Sequence, residues 1–339
     1  MQKEIIITGY GVVAKELCKL LLDKSESIMD AFGIELKVNG IIGSKGMLYQ
    51  REGLNLASLV MEEVGSKALS NYAQNHQISF LEPRFQGDVL VECTPTNIKD
   101  GEPALAYMLE AMDGGMDVVA ISKGALVHSY QTIKDKAEST RSKLKFSGAT
   151  AAALPTIDIG EYNLAGCTIT RIEGILNGTS NFILTSMYED NLSFSEALKI
   201  AQRKGIAEAN PSLDIKGFDS GCKILLLANE LLGTNYTIDD VSINGIEHLT
   251  RDDIVKTKMK QSRVKLLARA YKDEEKVVLD VQPCELDQAH PLYHVNGTNK
   301  GILFETEEMG TICTTGGASH PRGAAAAALK DLINLYRKS

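Results

Sequence analysis

The sequence predicts an α/β protein in two parts, a doubly wound parallel sheet first and an α+β unit second. Three observations carry this. A β-rich run, Glu4–Thr8, leads directly into Gly9-Tyr10-Gly11-Val12-Val13-Ala14 and then a helical stretch, Lys15–Leu22. Strand and helix alternate from there to about residue 150, the pattern of a parallel sheet covered on both faces. After Thr150 the pattern changes to longer strands and clustered helices.

The 339 residues suit two domains, and 44% hydrophobic with 24% charged residues is an ordinary globular balance. A net charge of −8 without a basic run argues against a nucleic-acid partner. No apolar run approaches the roughly 20 residues that span a bilayer. The opening MQKEIIITGYG enters a strand at once and lacks signal-peptide architecture. Six cysteines without a CxxC pair read as reduced thiols of a cytoplasmic protein.

The elements follow in order. In strand, G-x-G-x-x-A, helix, the first glycine permits the tight turn and the second lets a pyrophosphate approach the backbone. The small third residue lets helix pack on strand, and the helix N-terminus faces the phosphates. The first unit is therefore expected to be a Rossmann-type dinucleotide-binding domain, with Gly9, Gly11, Val12 and Val13 at the cofactor. The second strand, Leu36–Ile42, ends in Gly43-Ser44-Lys45-Gly46. An NAD-preferring site places an acid here for the ribose 2′-hydroxyl. Ser44 and Lys45 offer a hydroxyl and a cation instead, so NADP is the expected cofactor, with NAD possible. Asp88–Glu92 is a strand ending in Thr94 and Pro95, Gly101–Met112 a helix, and Asp117–Ser122 a strand that delivers Ser122 and Lys123. Open parallel sheets bind ligands outside the carboxyl ends of their strands, which adds these four residues to the cofactor set. Lys143–Gly148 reads as the last strand, and Thr150–Pro155 as a junction.

In the second half, Cys167–Leu176 is strand-like and Asn177–Asn181 punctuates it, with Thr179 or Ser180 expected to cap the helix Phe182–Tyr188. Ser193–Lys204 is a further helix. Strands are expected at Val241–Ile246, Lys265–Tyr271, Lys276–Pro283 and Gly301–Glu305, forming one open sheet suited to subunit contact. A Gly-rich turn, Gly316–Gly323, precedes a helix, Ala324–Tyr336, expected to pack back on the first unit. The domains are thus 1–150, completed by 316–339, and 151–315.

Between these strands lies Gly205–Asn229, with Glu208, Asp214 and Asp219 ahead of Lys223. Asp219 and Lys223 are four apart, which puts them on one helix face. An isolated D-x-x-x-K is a solvated pair worth roughly 0.3–0.5 kcal/mol. Here the apolar run Ile224–Ala228 marks a buried helix, and buried charges are costly unless paired or put to use. Three acids suit an ammonium-bearing substrate, and a lysine suits a developing alkoxide.

The chain is similar to homoserine dehydrogenases over nearly its whole length. The resemblance rests on Gly174-Ile175-Leu176-Asn177-Gly178-Thr179-Ser180-Asn181-Phe182-Ile183-Leu184, on A-E-x-x-P-x-L-D at Ala207–Asp214, on G-x-D-x-x-x-K at Gly217–Lys223, and on His290-Pro291-Leu292. It implies interconversion of homoserine and aspartate semialdehyde. Lys223 would transfer the proton with support from Lys123, and Asp219 would stand beside it. Glu208, Asp214, Gly178 and Thr179 would line the substrate pocket, and Gly317 the nicotinamide-side loop. The strand content of the second unit leads to the expectation of a homodimer built through it. Family members hold a monovalent cation on backbone carbonyls, here those of Thr150, Ala152 and Leu154, with a carboxylate. That carboxylate position falls on Ser147, so a sodium site is expected to be weak or absent. Ile206 and Asn210 depart from the family, which usually has an aromatic residue and an acid there. No threonine-sensing domain or fused aspartate kinase is expected. Two other readings remain: another amino-acid dehydrogenase on the same scaffold, and a non-catalytic cofactor-binding regulator, which would have no use for Lys123 and Lys223.

Overall fold

The computed structural model describes all residues except Glu275, Ala318, Ser319, Lys338 and Ser339. The chain forms two compact units, Met1–Ala152 with His320–Ser339, and Ala153–Ser319.

The first unit is built on six strands: β1 (Gln2–Thr8), β2 (Glu35–Gly43), β3 (Gly46–Tyr49), β4 (Val89–Glu92), β5 (Asp117–Ala120) and β6 (Leu144–Lys145), in the order β3-β2-β1-β4-β5-β6. All neighbours are parallel except β3, which folds back antiparallel on β2. Ile5–Ile7 and Val89–Val91 are fully buried, the continuous apolar run of strands covered on both faces. The winding reverses between β1 and β4, whose ends Thr8 and Glu92 are paired, so ligands are expected beyond that point. Helices α1 (Val12–Phe32), α2 (Leu56–Leu59), α3 (Gly65–Asn75), α4 (Ala104–Asp113), α5 (Gly124–Thr140) and α6 (Ser147–Thr150) complete the connections.

Two expectations change here. Helix α1 runs ten residues beyond Leu22 and stops at Gly33, whose φ of 66° is the left-handed cap. The last strand is only Leu144–Lys145. Ser147 turns into α6 because the buried Asp331 carboxylate takes its backbone N–H at 3.0 Å and its hydroxyl at 2.9 Å.

The second unit holds β7 (Ile169–Ile175), β8 (Val241–Ile243), β9 (Arg263–Asp273), β10 (Lys276–Leu286), β11 (Lys300–Thr306) and β12 (Gly310–Gly316), in the order β12-β11-β7-β9-β10-β8. Only β8 on β10 is parallel. Strand β12 was not foreseen. Its residues alternate between exposed and half-buried, and only Ile312 and Cys313 of the seven are apolar beside three threonines and two glycines, so it carries no apolar period. The helices are α7 (Gly178–Glu189), α8 (Phe194–Arg203), α9 (Ser212–Ile215), α10 (Phe218–Leu231) and α11 (Arg251–Met259). Ser193 and Glu196 close a reciprocal capping box on α8. The expected caps of α7 are corrected: Thr179 and Ser180 lie inside the helix, and the Asn177 side chain accepts from the Ser180 N–H at 2.8 Å. Asparagine suits that position better than threonine.

The chain then returns to the first unit as α12 (Pro321–Tyr336), which packs along α1. His320 caps it through Nδ1, which accepts from the Arg322 N–H. No helix among the described residues is long and apolar enough to cross a membrane.

Candidate active site

The first unit presents a groove of about 470 Å³ at the sheet's switch point. Gly9 has φ +78°, and a Cβ there would stand 2.8 Å from the Cys93 carbonyl oxygen, so only glycine closes this turn. A Cβ on Gly11 would meet no atom within 4 Å, so its side faces open space. Val12 and Val13 begin α1 at the same wall, Ser44 lies at the end of β2, and Thr94 and Pro95 follow β4.

One organising residue escaped the sequence reading. Glu92, fully buried at the end of β4, accepts from the Thr94 N–H at 2.7 Å and the Ser122 hydroxyl at 2.6 Å, and in a short bond from the Thr94 hydroxyl. Burial pushes its carboxyl up, against these hydrogen bonds. Glu92 thereby fixes two predicted cofactor residues from two strands. The signal was an acid ending the apolar strand Val-Leu-Val-Glu. Lys123 follows Ser122, half-buried at the N-cap of α5. At the end of β2 the Ser44 and Ser66 hydroxyls are 2.6 Å apart, and exposed Lys45 donates to the Ser70 hydroxyl at 3.0 Å. Gly317 belongs to the second unit, where a Cβ would stand 2.7 Å from the Leu154 nitrogen. Its neighbours Ala318 and Ser319 lie outside the described residues.

In the second unit the predicted acids and lysine converge, with one exception. Lys223 Nζ donates to Asp219 at 2.5 Å and to the Leu176 carbonyl at the end of β7 at 2.8 Å. The Asn177 amide donates to Asp214 at 2.7 Å and to Asp219 at 2.8 Å. One asparagine side chain therefore caps α7 and ties together the two carboxylates. Burial raises the Asp214 pKa, and repulsion from Asp219 adds to it, against the Asn177 bond, Lys223 and Thr179. Thr179 also donates to the Ile206 carbonyl at 3.1 Å, and Gly178 is the buried first residue of α7. Glu208 stands apart: it is exposed, and its backbone carbonyl accepts from Gln202 at 3.2 Å.

The residues around Ser147 do not fit a cation. Lys330 Nζ donates to the Ser147 hydroxyl at 2.8 Å and stands 2.9 Å from fully buried Asp331. A carboxylate that would favour a hard cation is already matched by an ammonium, which repels a second positive charge.

A doubly wound unit with a glycine-lined groove, joined to a unit with a carboxylate-anchored lysine, defines an NAD(P)-linked dehydrogenase. The chain matches two family profiles, "Homoserine dehydrogenase, NAD binding domain" over residues 9–147 and "Homoserine dehydrogenase" over residues 155–333. It is 33% identical to the homoserine dehydrogenase of Methanocaldococcus jannaschii, covering 99% of each chain. It is 32% identical to the NAD(+)-dependent homoserine dehydrogenase of Pseudomonas canavaninivorans, covering 99% of this chain and 97% of that one. The crystal structure of a putative homoserine dehydrogenase from Archaeoglobus fulgidus superimposes with a TM-score of 0.85 at 28% identity, over 99% of each chain. The chain belongs to the homoserine dehydrogenase family.

The Asn177 bridge generates a prediction. Asn177→Asp keeps a capping oxygen but sets a third carboxyl beside Asp214 and Asp219. Like charges raise its folded pKa above the unfolded value, so the penalty is absent in acid and grows as pH rises. Relative to the parent, the variant should come nearest in stability near pH ~4, where one donated bond is lost, and be less stable by about a further 1–3 kcal/mol near pH ~7 in urea titrations. A pH-independent difference would show that Asn177 does not bridge the carboxylates.

Proposed function

We propose that the protein interconverts L-homoserine and L-aspartate 4-semialdehyde in the aspartate-derived route to threonine, methionine and isoleucine. The observation that carries this reading is Lys223, held between Asp219 and the Leu176 carbonyl beside a second carboxylate. The names of the relatives support it.

The groove residues Gly9, Gly11, Val12, Val13, Thr94 and Pro95 would hold the dinucleotide, whose nicotinamide supplies or accepts the hydride when bound. In reduction, the Lys223 ammonium gives a proton to the aldehyde oxygen as that oxygen gains charge. In oxidation, the neutral amine takes the hydroxyl proton. Lys123 is the second lysine of the reaction. Asp214 and Asp219, with Glu208 on the adjoining loop, provide negative charge for the substrate ammonium. Helix α7 begins at Gly178 and Thr179, and its first-turn N–H groups favour the substrate carboxylate. Assembly as a homodimer through the second unit and a cytoplasmic location accompany the reading; a monomer in light scattering would refute the former.

Steady-state kinetics test the assignment. Lys223→Ala should bind cofactor and homoserine yet lose about 10²–10⁴-fold in turnover. Glu208→Ala should mainly raise the Michaelis constant, because it meets the ammonium in ground and transition states alike. Near-normal turnover in Lys223→Ala would reduce this lysine to a partner of Asp219.

NADP is proposed as the preferred cofactor, because Ser44, Lys45 and Ser66 gather hydroxyls and a cation at the end of β2. Lys45→Asp should move preference towards NAD by adding a ribose acceptor and repelling the 2′-phosphate. Strong discrimination for NAD by the wild type would refute this role for Lys45.

The Lys330 ammonium beside Ser147 makes a sodium requirement unnecessary. Activity and melting temperature should not change when sodium is exchanged for a bulky organic cation at constant ionic strength. A steep dependence of either on sodium would contradict this.

A further inference from the structure

A buried cation remains outside the proposed reaction. Lys300 opens β11 and is 3% exposed. The antiparallel register pairs Gly301 with Ile175, so Lys300 lies one step on, beside Leu176, whose carbonyl anchors Lys223. The pleat fixes its side. A Cβ on Gly301 would point at Leu292 and Val295. Lys300 therefore faces the other way, with Ile302, Gly174, Ala268 and Val281, which the register places on one face. That is the face covered by α10: its N-cap, Gly217, is within 3.1 Å of Val281, measured from an ideal Cβ. Lys300 thus reaches the layer that carries Asp219 and Lys223.

We infer that Lys300 is a positioning residue for proton transfer, whose ammonium shares the field of Asp219 with Lys223 and makes Lys223 a readier proton donor. The inference rests on Lys223 being that donor. A carboxylate 2.5 Å from Lys223 holds its proton, and a second cation on the same carboxylate loosens the hold. One buried and one half-buried ammonium also balance the two carboxylates that Asn177 bridges.

The arrangement makes the effect pH-dependent. Burial first, then repulsion from Lys223, lowers Lys300 to about 7, with Asp219 opposing. The charged, promoting form is present below that pH and lost above it. The charged groups facing it are Asp219 and Lys223 on α10, with Asp214 on α9 joined to them through Asn177. Glu173 and Arg171 of β7 fall on the opposite face, by the same alternation, and β12 presents Gly316 opposite Lys300. The other buried lysine of low pKa, Lys265, donates to Asn181 at 3.2 Å and Asn296 at 2.9 Å, and it responds to Arg263 and Glu189 instead.

The test is the pH profile of semialdehyde reduction in three enzymes. Wild-type turnover should fall as pH rises through about 7. Lys300→Met should be about three- to tenfold slower near pH ~6, flat to pH ~8, and equal to wild type at the alkaline end. Lys300→Arg keeps its charge and should hold the acid-side rate throughout. Superimposable profiles for wild type and Lys300→Met would overturn the inference, as would Met preserving the profile better than Arg, the order a packing role predicts. In a Lys223→Ala background, Lys300→Met should change turnover no further. An undiminished effect there would overturn action through Lys223. Near-normal turnover of Lys223→Ala alone would instead overturn the donor reading and this inference with it.

Discussion

The second unit depends on one amide. Asn177 sits where β7 ends and α7 begins, and it spends its carbonyl on the helix and its NH₂ on two carboxylates. Two carboxylates brought together repel, and burial raises the cost of each charge. A neutral donor that bonds both offsets part of that repulsion without adding charge. With the carboxylates held, Lys223 can be anchored on Asp219 and on the Leu176 carbonyl, so its ammonium is placed by three elements together. A catalytic group needs this kind of restraint, because a small misplacement costs rate steeply.

The first unit solves a similar problem in a different way. Its turns are set by close backbone approach at Gly9, and its loops by a single buried carboxylate, Glu92, that gathers Thr94 and Ser122. Both devices leave backbone and hydroxyl groups at the ends of the strands with little freedom. A dinucleotide would then meet a surface whose ordering cost is already met by folding.

Much of this was legible in the sequence, for identifiable reasons. The opening turn is local, and its glycine spacing maps directly on geometry. Asp219 and Lys223 are one helical turn apart, so spacing alone predicts their meeting. What stayed hidden depends on distant partners. The two carboxylates of Asn177 lie 37 and 42 residues away, and a single asparagine reads as punctuation. Lys300 reads as a polar strand start, and its burial follows only from the register of β11 on β7. The last strand of the first unit was overestimated because Asp331, 184 residues on, captures Ser147. Polar β12 lacks the period that marks a strand. Glu208 was grouped with the other acids by proximity in sequence, and the structure sets it at the surface of its loop.

The activity proposed for the chain is oxidation of homoserine coupled to reduction of a dinucleotide. The most direct measurement is homoserine-dependent reduction of NAD and of NADP, side by side, by the purified protein. Reduction should require homoserine, with NADP the better acceptor. No reduction of either nucleotide with homoserine, while another amino acid supported it, would show that homoserine is not the substrate.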